Sequence, residues 1–94
     1  MLLAAGYLGE KAKLAALRLV ETLYNNNVGA LFTPGDRSLK AQLKTANRIN
    51  AAYALILGED EAQAGQVTVR DMSTGEQIVL NLADVSVWLK EKLQ

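Results

Sequence analysis

Apolar runs and segments of helical periodicity alternate along this chain. Short apolar runs of the kind that form buried strands occur at residues 2–8, 28–32 and 53–57. The last run is apolar throughout, which is typical of a central parallel strand covered on both faces. Elsewhere apolar residues recur every three or four positions, and this spacing predicts helices at 10–25, at 38–50, and from 81 or 83 to 93.

The same spacing predicts which side chains of each helix are buried. These are Ala16, Leu17, Val20, Leu23 and Tyr24 in the first helix, Leu39, Leu43, Ala46 and Ile49 in the second, and Val85, Trp88 or Leu89, and Leu93 in the last. Tyr7 and Tyr53 are expected in the core. Ser38 is placed to cap the second helix, because serine accepts well from the first free backbone N–H groups.

A β-hairpin is predicted between the third strand and the last helix. Residues 67–71 and 76–80 alternate apolar and polar side chains around the turn residues Ser73, Thr74 and Gly75. The element order is therefore βαβαβ, a hairpin and a final helix, with a loop at 33–36. Right-handed crossovers give an α/β protein of three α/β/α layers, with a five-stranded, mostly parallel sheet and three main helices.

Composition narrows the chemistry. The 94 residues suffice for one domain, at 1–94, and contain neither cysteine nor histidine. Disulfides, thiolate metal sites and serine–histidine or cysteine–histidine catalysis are thereby excluded. No apolar run approaches the roughly 20 residues that span a bilayer, so a soluble, cytoplasmic protein is expected. Ten basic and ten acidic residues cancel, which argues mildly against strong, sequence-independent RNA binding.

A basic stripe is predicted along the second helix. Arg37, Lys40, Lys44 and Arg48 are spaced by three, four and four residues, so they fall on one side of that helix. Four cations in line could follow a phosphate backbone. The alternative is an ordinary solvated helix face opposite the buried leucines.

Two further groups could recognise a ligand. Glu59, Asp60 and Glu61 follow the third strand, where a carboxylate could hold a cation, accept from a base edge, or lie in an exposed turn that starts a short helical turn. Arg70 lies on the polar side of its strand and offers a planar fork for guanine or phosphate. Its alternative is an ion pair with Glu59, Glu61 or Glu76. No phosphate-binding glycine motif is present, a metal site at the acidic trio is the least favoured alternative, and no constellation of residues supports catalysis.

The order of these residues resembles a known family. The stretch from Tyr53 to Glu61, followed by Gly65, Val67, Val69, Arg70-Asp71-Met72 and Thr74-Gly75-Glu76-Gln77, is similar to the C-terminal anticodon-binding domain of histidyl-tRNA synthetase, a class II aminoacyl-tRNA synthetase. The segment 38–47 also looks like the second helix of that family. The resemblance implies a sheet in which one of five strands is antiparallel.

The resemblance also implies partners and site residues. The family's domain binds the anticodon stem-loop of its tRNA, here histidine tRNA, and follows a catalytic core that is dimeric in the parent protein. Position by position, Glu61 and Arg70 match anticodon-base contacts, Gln77 is a weaker candidate, and Asp36 and Arg37 match another edge of the RNA surface. Lys40, Lys44 and Arg48 are the candidates for phosphate contacts.

The synthetase core is not contained in this sequence. Its ATP- and histidine-binding motifs cannot fit in 94 residues, so the chain alone is not expected to be an enzyme or to need a cofactor. ATP and Mg²⁺ are implied only for the core. The start at a strand suggests a domain excised from a longer synthetase rather than a stand-alone relative. The alternative functions are a synthetase-derived protein-interaction or dimerisation module and, less favoured, a small-molecule enzyme of flavodoxin-like shape.

Overall fold

The computed structural model describes residues 3–32 and 38–92. Within these ranges the chain forms five strands, four α-helices and one 3₁₀ turn at Glu10–Ala12. The strands are β1 Leu3–Tyr7, β2 Ala30–Phe32, β3 Tyr53–Leu57, β4 Gln66–Asp71 and β5 Gln77–Asn81. The helices are α1 Lys13–Asn25, α2 Leu39–Arg48, α3 Glu59–Ala64 and α4 Val85–Lys92. The predicted loop at 33–36 and the predicted helical residue Leu93 lie outside the described residues.

The strands form one mixed sheet in the order β2-β1-β3-β4-β5. β1 pairs in parallel with β2 and β3, whereas β4 is antiparallel to both of its neighbours. Four strands therefore run in one direction and β4 runs in the other. This arrangement confirms the predicted α/β class, the mostly parallel sheet and the single antiparallel strand.

One face of the sheet, the α1/α4 face, carries most of the core. Alternate strand residues point to this face and pack against α1 and α4; they include Leu3, Ala5, Tyr7, Leu55, Leu57, Val67 and Val69. From the helices, Leu19, Leu23, Val85 and Leu89 complete the cluster. Trp88 is only half-buried and meets the ring of Tyr53 edge-on, with 5.4 Å between the ring centroids.

The other face, the α2 face, carries a smaller cluster. Ala4, Ala54 and Ile56 of the sheet pack against Ala46 of α2 and against Ala51. Small side chains dominate here, so α2 lies close to the sheet. Gly6 shows the limit of this packing, because a Cβ atom built on it would lie 2.8 Å from Cδ of Gln42.

Two predicted buried stripes were partly wrong. On α1 the buried residues are Ala16, Leu19 and Leu23, while Leu17 is exposed and Tyr24 is 76% exposed. Leu17 and Tyr24 lie on a second apolar stripe, which is offset by one residue from the buried stripe. Both stripes have helical spacing, so periodicity alone could not show which of them is buried.

On α2 the buried stripe also differs from the prediction. Leu39, in the first turn, is 42% exposed, and Gln42 is buried in its place. Gln42 donates its Nε2–H to the backbone oxygen of Tyr7 at the end of β1, which satisfies a buried polar group. Ser38 caps α2 as predicted, since its hydroxyl accepts from the N–H of Ala41 at 3.2 Å.

The acidic trio starts a short helix, which is one of the alternatives that the sequence predicted. Glu59, Asp60 and Glu61 make up the first turn of α3, where negative charge is favourable next to the helix dipole. α3 ends at Gly65, whose left-handed φ of 70° lets the chain turn directly into β4. None of the described helices is long and apolar enough to cross a membrane.

Candidate nucleic-acid interface

Half of the α2 face is open. α2 packs against β1 and β3, and in the described chain no helix covers the same face of β4 and β5. Thr68 and Arg70 of β4 point to this side because their neighbours Val67 and Val69 point into the core. We call this surface, made by Thr68, Arg70, Gln77 and Val79, the open face.

Arg70 and Gln77 form a cross-strand pair at the centre of the open face. The two residues are directly opposed in the β4–β5 register, and Nη1 of Arg70 donates to Oε1 of Gln77 at 2.9 Å. The alternative prediction, an ion pair between Arg70 and a nearby glutamate, is not found among the described residues. A neutral partner fixes the guanidinium without neutralising it, so the positive charge stays available to a ligand.

Glu61 approaches the open face from α3. Its Oε1 accepts from the hydroxyl of Thr68 at 3.4 Å, a long and weak hydrogen bond. The side chain folds back over Gly58, where an added Cβ would lie 3.2 Å from Cδ of Glu61. Gly58 therefore allows the carboxylate to lie against the sheet instead of extending into solvent.

Together these side chains form a line across β4. Thr68 and Arg70 are alternate residues on one strand, so their Cα atoms are roughly 7 Å apart. Glu61 adjoins Thr68 at one end and Gln77 adjoins Arg70 at the other. Glu61, Arg70 and Gln77 are candidates that the sequence already suggested, whereas Thr68 was not among them, although the alternation of residues 67–70 places it on the same side as Arg70.

The hairpin turn behind Arg70 is fixed by Asp71. Its Oδ1 accepts from the Ser73 hydroxyl at 2.7 Å, from the Ser73 N–H at 2.8 Å and from the Thr74 N–H at 3.3 Å. These bonds, the Ser73 hydroxyl first, hold the pKa of the Asp71 carboxyl below its ordinary value. Gly75 completes the turn with a φ of 80°. The turn thus sets the register that opposes Arg70 to Gln77.

The three described members of the basic stripe lie on the outer side of α2. Lys40, Lys44 and Arg48 are all exposed, and four-residue spacing puts them on one side over about 12 Å of helix. Gln42 and Ala46 face the sheet instead. The stripe and the open face are therefore on the same side of the sheet but are separate surfaces.

Asp36 and Arg37, the remaining predicted contacts, lie outside the described residues. The described part of the chain contains no group of three or more acidic side chains arranged to hold a metal ion. The chemistry that the arrangement offers is hydrogen bonding and charge, from one guanidinium, one carboxylate, one amide and one hydroxyl.

A groove lies between α1 and α3, apart from the open face. Its volume is about 570 Å³, and its lining includes Lys11, Leu14, Arg18, Glu59 and Asp60. Glu59 is already engaged there, since its Oε2 accepts from the backbone N–H of Lys11 at 3.1 Å. The groove contains none of the predicted RNA contacts, so its depth does not make it the better candidate.

Comparison with known proteins identifies the family to which the domain belongs. The sequence model of the family described as "Anticodon binding domain" matches residues 5–92. A histidine–tRNA ligase of Anoxybacillus flavithermus is 45% identical over 87 residues, which are 93% of this chain and 21% of the relative. A histidine–tRNA ligase of Clostridium botulinum (strain 657) is 38% identical over 85 residues, or 90% of this chain and 20% of the relative.

Solved structures agree on the fold. Histidyl-tRNA synthetase from Nostoc sp. PCC 7120 superposes with a TM-score of 0.91 at 23% identity, covering 98% of this chain and 22% of that one. The RNA binding domain of threonyl-tRNA synthetase from Cryptosporidium parvum gives 0.86 at 18% identity, covering 97% and 23%. The chain spans about a fifth of the curated relatives it matches. It therefore belongs to the anticodon-binding domain family, as its sequence resemblance predicted, and is similar to the domain found in histidine–tRNA ligases.

Proposed function

We propose that this chain binds the anticodon stem-loop of a tRNA on the open face. The observation that carries the proposal is the line of Glu61, Thr68, Arg70 and Gln77 on the half of the sheet that α2 leaves uncovered. Sequence-specific RNA recognition mostly targets unpaired bases, whose edges are read by hydrogen bonds. A flat, polar surface suits bases splayed out from a loop.

The line offers complementary hydrogen-bonding groups. Arg70 uses Nη1 for Gln77, and its other N–H groups can donate to a base edge or a phosphate. Glu61 can accept from the exocyclic amine of a base, because its bond to Thr68 is long. Gln77 retains its amide N–H donors. These contacts would carry the discrimination between anticodons.

The basic stripe would supply binding without discrimination. Lys40, Lys44 and Arg48 are exposed on the same side of the sheet, where they can follow the phosphates of the stem. Asp36 and Arg37, just before α2 in the sequence, are proposed to contact the loop from the same side. Phosphate contacts of this kind weaken as salt rises, whereas base contacts set specificity.

The wider role is inferred from the relatives. Since they are more than four times as long as this chain and are histidine–tRNA ligases, we propose that the domain serves a catalytic core that charges histidine tRNA. The parent would act in the cytoplasm as a homodimer. ATP and Mg²⁺ would be used by that core, and this domain would need no cofactor of its own.

The alternative of an interaction module without anticodon reading is not favoured. The family match covers nearly the whole described chain, and the relatives it brings are tRNA ligases. A flavodoxin-like enzyme is disfavoured by the lack of a phosphate loop.

The proposal is tested by fluorescence anisotropy with a labelled anticodon stem-loop of histidine tRNA and an anticodon-swapped stem-loop. Arg70→Ala is expected to cost about 1–3 kcal/mol on the native stem-loop and to reduce the preference between the two RNAs. Lys44→Ala should weaken both RNAs alike and reduce the salt slope by about 1.

Matched controls come from the opposite side of the molecule. Arg18→Ala and Lys13→Ala remove the same side chains from exposed positions on α1 and should leave both affinities unchanged. Equal affinity of the parent chain for the two stem-loops would contradict anticodon reading. Equal losses from Arg70→Ala and Arg18→Ala would remove the open face as the site.

A further inference from the structure

Among the described residues, β5 is an outer strand with one free edge. It pairs with β4 on one side only and is the last strand in the sheet order. β5 has five residues, Gln77–Asn81, and is therefore longer than β2, the three-residue strand at the other end of the sheet. A free edge presents unpaired backbone N–H and C=O groups that another strand can join.

The free edge of β5 lacks the usual protection. Its sequence, QIVLN, contains no charge, proline or glycine. Ile78 is 40% exposed on one face of the sheet and Val79 is 57% exposed on the other. Outer strands that avoid association usually carry lysine, proline or a bulge. An uncharged apolar edge is instead suited to pairing.

The strand is chemically symmetrical about Val79. If a second copy of β5 runs antiparallel, Val79 opposes Val79, Ile78 of one copy opposes Leu80 of the other, and Gln77 opposes Asn81. Each contact is then apolar with apolar or amide with amide. The chain also has no net charge, so two copies do not repel each other at long range.

We propose that a second copy of this chain is the partner of this edge, and that two β5 strands pair antiparallel about a twofold axis at Val79. Two five-stranded sheets then become one sheet of ten strands. Directly opposed residues point to the same side, so both open faces lie side by side on one surface. The pairing uses backbone groups and does not cover the Arg70 guanidinium, so it is compatible with RNA binding.

Association should be weak and reversible. A single strand pair falls well below the roughly 1,200–2,000 Å² of stable interfaces, so dissociation constants of about 10 µM to 1 mM are expected. Sedimentation velocity of the 94-residue chain, without RNA, should show a mass that rises from monomer toward dimer over that range.

Val79→Lys tests the site of contact. In the dimer it places two like charges directly opposite each other, which should weaken association roughly tenfold or more. Val87→Lys is the matched control, because Val87 is 61% exposed and belongs to α4 rather than to β5. Circular dichroism verifies that both variants are folded. A dimer that survives Val79→Lys as well as Val87→Lys overturns the proposal.

A cross-link gives a second, independent test. The chain has no cysteine, so Val79→Cys and Val87→Cys each introduce a single thiol. Opposed residues of an antiparallel pair have Cα atoms about 4.5–5.5 Å apart, within reach of a disulfide. Mild oxidation should link Val79→Cys far faster than Val87→Cys. Equal rates, or a mass that stays monomeric up to about 1 mM, would exclude this interface.

Discussion

The two halves of the sheet differ in what covers them. β1 and β3 have helices on both faces, and their side chains are buried almost throughout. β4 and β5 have α4 on one face and no described helix on the other, and most of β5 is exposed. The covered half is where substitutions should cost stability, and the open half is where they should cost binding.

The largest effect is expected in the covered half. Leu55→Ala removes a fully buried side chain from the centre of β3 and should cost about 2–5 kcal/mol of unfolding free energy through lost burial and the cavity left behind. Urea unfolding followed by circular dichroism measures it. Val79→Ala on the open half, by contrast, should change stability by about 0.5 kcal/mol or less. Similar losses for the two variants would erase the distinction.

Gly6→Ala probes the tight packing of α2 on the covered half. The new Cβ would press on the buried Gln42 side chain, and overpacking of this kind costs about 1–3 kcal/mol. Gly29→Ala is the control, because a Cβ there meets no atom within 4 Å. In a double-mutant cycle, adding Gln42→Ala should recover part of the Gly6→Ala loss. Strict additivity would show that Gln42 is not the obstacle.

Gln77→Glu sharpens the comparison on the open half. A charged acceptor beside Arg70 would pair with the guanidinium and repel phosphate, so RNA binding should weaken by about 1 kcal/mol. Stability should barely change, because exposed ion pairs contribute little. Gln63→Glu adds the same charge on α3 and should leave the affinity intact. A large stability change in Gln77→Glu would mean that the open half is structural after all.

The smallest effect concerns pH and the hairpin turn. The pKa of Asp71 is lower in the folded chain, so its stabilising contribution is present above the ordinary aspartate pKa of about 4 and is lost as pH falls through the folded value. Protection of the β4 and β5 amides, measured relative to their intrinsic exchange rates, should therefore fall below about pH 4 more than protection of the β1 amides. Asp71→Asn should remove that difference, whereas Asp60→Asn should preserve it.

The sequence predicted the strands well and the buried helix faces less well. Side chains of a strand alternate between two faces, so a strand pattern leaves little choice of which residues are buried. The alternation in 67–70 and the apolar run at 53–57 could therefore each be interpreted in one way. On α1, two apolar stripes one residue apart fit the period equally, and only the packed sheet selects Leu19 over Leu17. Gln42 was missed because its burial depends on an oxygen of β1 that is distant in the sequence.

One contact in the candidate site could be predicted from local sequence. Arg70 and Gln77 are joined by a local hairpin whose turn residues fix the register, so their contact follows from seven residues of sequence separation. Whether α2 would cover them could not be predicted, because helix placement depends on the whole sheet. The open face therefore emerged only from the fold, and Thr68 with it.

The short connection at Gly65 has an evolutionary consequence. One residue joins α3 to β4, and the Leu82 N–H donates to the Gly65 oxygen at 2.8 Å, so Glu61, Thr68, Arg70 and Gln77 belong to one tied segment of the chain. Residues 58–81 can therefore be exchanged together, and a replacement that keeps the core residues Val67 and Val69 changes the open face while the pairing of β1 with β2 is kept. The open face and the core of this small domain can then change at different rates.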